Sequence, residues 1–85
     1  MNSTTNIADV KGVVVETLGV EERAASLGPT TPLLGSLPEL DSMAVLEVVL
    51  ELEQRFGITI EGDDVTAEVF ETLASLTAFV DRKLR

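Results

Sequence analysis

The sequence predicts an all-α fold: a small bundle of three main helices plus one short helix. It is read as a single domain over residues 1–85, with an ordered core from about 6 to 84. Three observations lead there. Apolar residues recur every three to four positions in three separate stretches, which is the spacing of one helix face. Good capping residues, Asn6, Asp41 and Thr72, stand just before those stretches. All three prolines fall between the first stretch and the second, where helix must be interrupted.

In the first element Ile7, Val10, Val14 and Leu18 share a face, and Asp9, Lys11 and Glu16 lie elsewhere on the circumference. Asn6 is placed to cap it and Gly19 to end it. The run Val13 to Val15 would also suit a strand, and Gly12 weakens a helix, but the four-position stripe outlasts the valines. Residues 20–40 form a long connection in which Pro29, Pro32, Pro38, Gly28 and Gly35 forbid regular helix. Leu27, Leu33, Leu34 and Leu37 are expected to pin it to the core. Long connections in small domains are usually functional or mobile.

The second helix is the strongest element. Asp41 is its N-cap, Leu40 can staple onto Val45, and Gly57 supplies the stop. Val45, Val48, Val49, Leu52 and Phe56 fall on one broad face, with Glu47, Glu51, Gln54 and Arg55 mostly opposite. A short extended link over 58–60 follows. A short helix is expected at 63–69, started by Asp63 or Asp64, with Val65 and Val69 inward. Thr72 begins the last helix, where Leu73, Leu76, Val80 and Leu84 repeat along one face and Arg82, Lys83 and Arg85 complement the C-terminal dipole.

Composition narrows the function. Cysteine, histidine, tryptophan and tyrosine are absent. Without them there is no imidazole base, no Ser–His or Cys–His pair and no soft zinc ligand, which argues against an enzyme. Fifteen acidic residues against six basic ones give a net charge of −9, which disfavours nucleic acid, so none is expected as a partner, and favours partners with basic surfaces. No run approaches the roughly 20 apolar residues of a membrane span. The N-terminal stretch lacks the pattern of a signal peptide, so a cytoplasmic monomer is expected. The acidic run after Ile60 lacks the alternating ligands and closing glutamate of a calcium loop, so no metal is expected.

Ser42 stands out within this frame. A serine near a helix start is most often a cap, but Asp41 already fills that position. A helix N-terminus also favours an anion, worth about 0.3–1 kcal/mol at an exposed site, so a phosphate ester on Ser42 would be stabilised there. With Ser42 at zero on the helical wheel, Leu46, Leu50 and Met43 fall at roughly 40°, 80° and 100°, away from the core face near 300°. This second apolar strip is either part of a wide buried face or an exposed docking surface flanked by Glu47 and Glu53. Glu39 to Glu71 holds ten carboxylates and one base, Arg55. Such a run can be a solvated face or a steering field for a basic partner.

The stretch "LDSMAVLEVVLELEQRFGITI" strongly resembles the modification motif and second helix of acyl carrier proteins. The likeness runs from about Ile7 to Leu84, with every element in the expected order. It implies an acyl-carrier-like bundle in which a transferase moves 4′-phosphopantetheine from coenzyme A onto Ser42, with Asp41 as the neighbouring acid. The thiol that the chain lacks would arrive with that arm and carry acyl groups as thioesters, making the protein a carrier and not a catalyst. Met43, Leu46, Glu47, Leu50 and Glu53 match positions used to dock acyl-loading and synthase enzymes, and Asp63 and Asp64 would add a second contact region. A medium acyl chain would be expected between the helices near Val49, Leu52 and Val65. Two departures, the residues separating Gly35 from Asp41 and the apolar pair Ala44–Val45, point to a specialised lipid, polyketide or other secondary-metabolite pathway. An aminoacyl or peptidyl carrier, and an unmodified acidic adaptor binding a basic protein, are the alternatives.

Overall fold

Three helices enclose the core of the computed structural model, which describes residues 6–85; the first five residues of the expected domain lie outside that description. The helical elements are α1 (Ile7–Leu18), a 3-10 turn (Glu21–Ser26), the single turn α2 (Leu33–Ser36), α3 (Ser42–Phe56), a second 3-10 turn (Gly62–Asp64) and α4 (Leu73–Leu84). No strand occurs among the described residues. α1 packs most extensively on α3 and then on α4, while α3 and α4 meet over a smaller area.

The caps follow the chemistry of their residues. The Asn6 side chain accepts from the Ala8 amide at 2.8 Å and Asp41 Oδ1 from the Ala44 amide at 2.9 Å. Thr72 and Ser75 bond reciprocally, each hydroxyl 3.0 Å from the other's amide. α1 and α3 both end on a left-handed residue, Gly19 at φ 67° and Gly57 at φ 65°, a conformation that glycine adopts without a Cβ clash.

α1 buries Val10, Val13, Val14 and Val15, a wider face than the expected stripe, because it is covered by α3 on one side and α4 on the other. The valine run is therefore compatible with helix, since all three side chains find core contacts. In α3 the buried residues are Ala44, Val48, Val49 and Leu52, and Val45 and Phe56 pack against them half-buried. In α4 the inward row ends with Phe79 and Val80; Leu84, expected to continue it, lies past the core and is 42% exposed.

Two expectations are corrected. Residues 20–40 contain short helical pieces despite their prolines, because Pro32 sits at the N-cap of α2, ahead of any amide the turn requires. Of the four expected anchors, Leu27, Leu33 and Leu37 are buried, but Leu34 is 47% exposed. Two backbone bonds clamp this connection to the start of α4: Leu33 N–H to Glu71 O at 2.8 Å and Ala74 N–H to Pro29 O at 3.0 Å. Residues 63–69 are not a helix. After the 3-10 turn, Thr66 Oγ1 takes the Val69 amide at 3.2 Å and Thr66 O takes the Phe70 amide at 3.3 Å. So short a segment gains few bonds against the cost of nucleating a helix. Its buried anchor is Phe70, with Val65 and Val69 only half-buried.

Leu33 is fully buried although it belongs to the connection. Leu33→Ala is expected to lower the unfolding free energy by about 2–5 kcal/mol, as for a helix-core leucine. Urea denaturation checks it, and a loss below about 1 kcal/mol would show that the connection is dispensable to the core.

Candidate functional site

α3 begins at Ser42, and the rotation of this helix decides what surrounds that hydroxyl. Ala44, Val48, Val49 and Leu52 point into the core, and Ser42, at the first position of the helix, is exposed. Asp41 does the capping, which frees the Ser42 side chain from that duty. Met43, Leu46 and Leu50 follow along the helix with exposures of 69%, 57% and 57%. The apolar strip therefore lies outside the core and faces solvent.

Ser42 also borders an open groove of about 390 Å³, lined by Leu34, Val45, Leu46, Val65, Thr66 and Phe70 among others. One wall is α3, and the other is the irregular 65–70 segment. Of the three residues expected to hold a cargo chain, only Val65 lines this groove; Val49 and Leu52 are at 7% and 0% exposure inside the core. Leu34, Thr66 and Phe70 were not anticipated there. They come from the long connection and from a turn, and no periodicity in the sequence marks which of their sides faces α3. A second groove, of about 510 Å³, lies between α1 and α3 and includes Glu16, Glu47, Leu50, Glu51 and Arg55.

The anticipated acidic contacts divide into two kinds. Glu47 and Asp63 are exposed. Glu53 and Asp64 have structural work within the fold. Glu53 Oε2 accepts from the Ile60 amide at 2.7 Å, fastening the chain that leaves α3. Asp64 Oδ2 accepts from Lys83 Nζ at 2.7 Å and from the Glu61 amide at 2.9 Å. Lys83 first, and then the Glu61 amide, hold the Asp64 carboxyl below the usual carboxylate range. On the other side of Ser42, Glu39 is lowered by its own backbone amide and then by Arg23, with which it forms an ion pair. Among the described residues, no group of three or more His, Cys, Asp or Glu side chains is placed to hold a metal ion, and no helix is long and apolar enough to cross a membrane.

An exposed hydroxyl at the start of a 15-residue helix, beside an apolar groove, suits a phosphate ester that carries a long arm. The family model for a phosphopantetheine attachment site matches residues 8–80. An acyl carrier protein of Exiguobacterium sp. strain AT1b is 36% identical over 80 residues, covering 92% of each chain. One from Exiguobacterium sibiricum is 32% identical over 79 residues, again with 92% of each covered. Among solved structures, the solution structure of a holo acyl carrier protein from Nitrosomonas europaea superposes with a TM-score of 0.84 at 41% identity, over 92% of this chain and 94% of that one.

The Asp64–Lys83 pair fixes one end of the groove wall. Because the carboxyl of Asp64 is depressed in the folded state, its stabilisation is complete above the unfolded value of about 3.9 and disappears as pH falls through the lower folded value. Asp64→Asn is therefore expected to melt earlier than the parent at pH 7, with the difference closing in acid. Thermal melts at pH 7 and near pH 2 measure this, and a gap that persists undiminished in acid would contradict it.

Proposed function

Since the chain belongs to the acyl carrier proteins with a phosphopantetheine attachment site, we propose that Ser42 is the residue esterified by its 4′-phosphopantetheine. The observation that carries this assignment is the exposed Ser42 hydroxyl at the first position of α3, relieved of capping by Asp41. In the transfer, the serine oxygen bonds to the pantetheine-side phosphorus of coenzyme A while the P–O bond of the pyrophosphate bridge breaks and adenosine 3′,5′-bisphosphate leaves. The serine proton passes to a base in the transferase site. When bound, the group supplies the thiol that holds acyl cargo as a thioester. The chain itself presents that cargo, and partner enzymes perform the chemistry.

Partner enzymes dock on Met43, Leu46 and Leu50, with Glu47 and Asp63 steering their basic surfaces and the phosphopantetheinyl transferase the first of them to arrive. Exposure of all three apolar side chains in one row supports this, since a row of that kind beside acidic residues has the make-up of an interface core with a charged rim. The groove beside Ser42, through Val65 and Leu34, shelters the arm and the start of its cargo. A specialised lipid, polyketide or other secondary-metabolite pathway is favoured by the apolar Ala44–Val45 pair, of which Ala44 packs into the core.

Incubation with coenzyme A and a broad-specificity transferase is expected to add the mass of one phosphopantetheine, and Ser42→Ala should add none. A gain that survives Ser42→Ala would move the attachment elsewhere. Leu46→Glu should keep the fold, by circular dichroism, yet lower the transferase kcat/KM by roughly tenfold, the effect of about 1.4 kcal/mol of lost contact. An unchanged rate would remove Leu46 from the docking surface.

A further inference from the structure

We infer that Arg23 is the counter-ion of the phosphodiester on Ser42, bridging it to Glu39; this rests on Ser42 being the attachment residue. The ester places one more negative charge where Glu39 and Asp41 already stand. Few cations are available to meet it. Arg55 sits in the last turn of α3, about 20 Å along the helix from Ser42, and bonds Glu16 at 3.2 Å. Lys83 and Arg85 are held at the end of α4 by Asp64 and Asp81, and Arg82 lies 6.0 Å from the centre of the Phe79 ring. Glu16 reaches the C-terminal turn of α3, whereas Arg23 reaches Glu39, before its first turn. Between these two contacts the chain passes from the end of α3, beside the last turns of α1, to its start at the 21–26 turn.

Arg23 is a base that the fold brings beside the start of α3, through its pair with Glu39. The turn Glu21–Ser26 presents it to Glu39, three residues before Ser42. The intervening chain is folded tightly: the Leu40 amide bonds Leu37 O at 2.9 Å and the Asp41 amide bonds Glu39 O at 3.0 Å. Glu39 is thereby kept next to the helix start instead of trailing away from it. The Arg23–Glu39 pair has side-chain exposures of 37% and 40%, so it is held loosely and its geometry can be shared. The bond to Glu39 uses Nη2, and a guanidinium has five N–H donors in a plane that suits phosphate oxygens. A singly charged phosphodiester beside it gains a charge-assisted hydrogen bond without displacing Glu39. The 21–26 turn then differs between the unmodified and modified carrier, although it contains no part of the attachment motif.

The test uses the full chain, loaded with phosphopantetheine from coenzyme A and checked by intact mass. Arginine Nε–Hε NMR correlations are recorded for the unmodified, loaded and Ser42→Ala forms, with the phosphorus resonance of the loaded form. Loading should shift the Arg23 correlation at low salt, and the shift should shrink at high salt, where exposed charges are screened. Arg23→Gln should move the phosphorus resonance and Arg82→Gln should leave it in place. Glu39→Gln, which removes the competing carboxylate, should enlarge the Arg23 shift. A fully loaded chain in which both the Arg23 correlation and the phosphorus resonance ignore these changes would overturn the bridge while leaving the attachment intact. A chain that gains no mass would overturn both.

Discussion

Burial of one face of α3 is the constraint from which the surface arrangement follows. Val48 and Leu52 are at 0% exposure, with Ala44 and Val49 close behind, and together they fix the rotation of the helix about its axis. Once that rotation is set, Met43, Leu46 and Leu50 must form a row in solvent, and Ser42 is exposed because it stands at the first position of the helix. A shift of one residue in helical phase, about 100°, would exchange core and surface positions. Asp41 sets the other boundary condition, because its bond to the Ala44 amide decides that the helix starts at Ser42 and not a turn later.

The charge on this chain serves two ends that residue type alone does not separate. Glu53 and Asp64 spend their carboxylates on backbone amides, and Asp64 also holds Lys83, so both stabilise the fold. Glu47 and Asp63 remain in solvent, where they add to the long-range field of a molecule with net charge −9. The arginines of the ion pairs at Arg23, Arg55 and Arg85 are exposed, and solvent screening keeps pairs of that kind weak. Apolar contact, not ionic contact, holds the bundle.

The three main helices were legible because each announces itself locally. Asn6, Asp41 and Thr72 cap as their types suggest, and Gly19 and Gly57 stop their helices in the left-handed conformation. The exposed strip was legible as an excess of apolar residues beyond one face, although whether it was buried needed coordinates. The expected helix at 63–69 failed because its acids and valines have helical spacing, yet the backbone is satisfied by Thr66, Asp64 and a 3-10 turn. The groove was hidden for a different reason. Leu34, Thr66 and Phe70 meet Ser42 only through the clamp between Leu33 and Glu71 and the packing around it, and contacts of that range leave no periodic trace.

The exposed row starts at Met43, directly after the serine proposed to hold the arm. On the proposed docking, an enzyme seated on that row also covers the pivot, so two are not served at once. Visits on that proposal are serial, and the carrier's turnover is capped by how quickly each visitor departs. Modest contact area and steering by charge suit such traffic, since they speed arrival without prolonging residence.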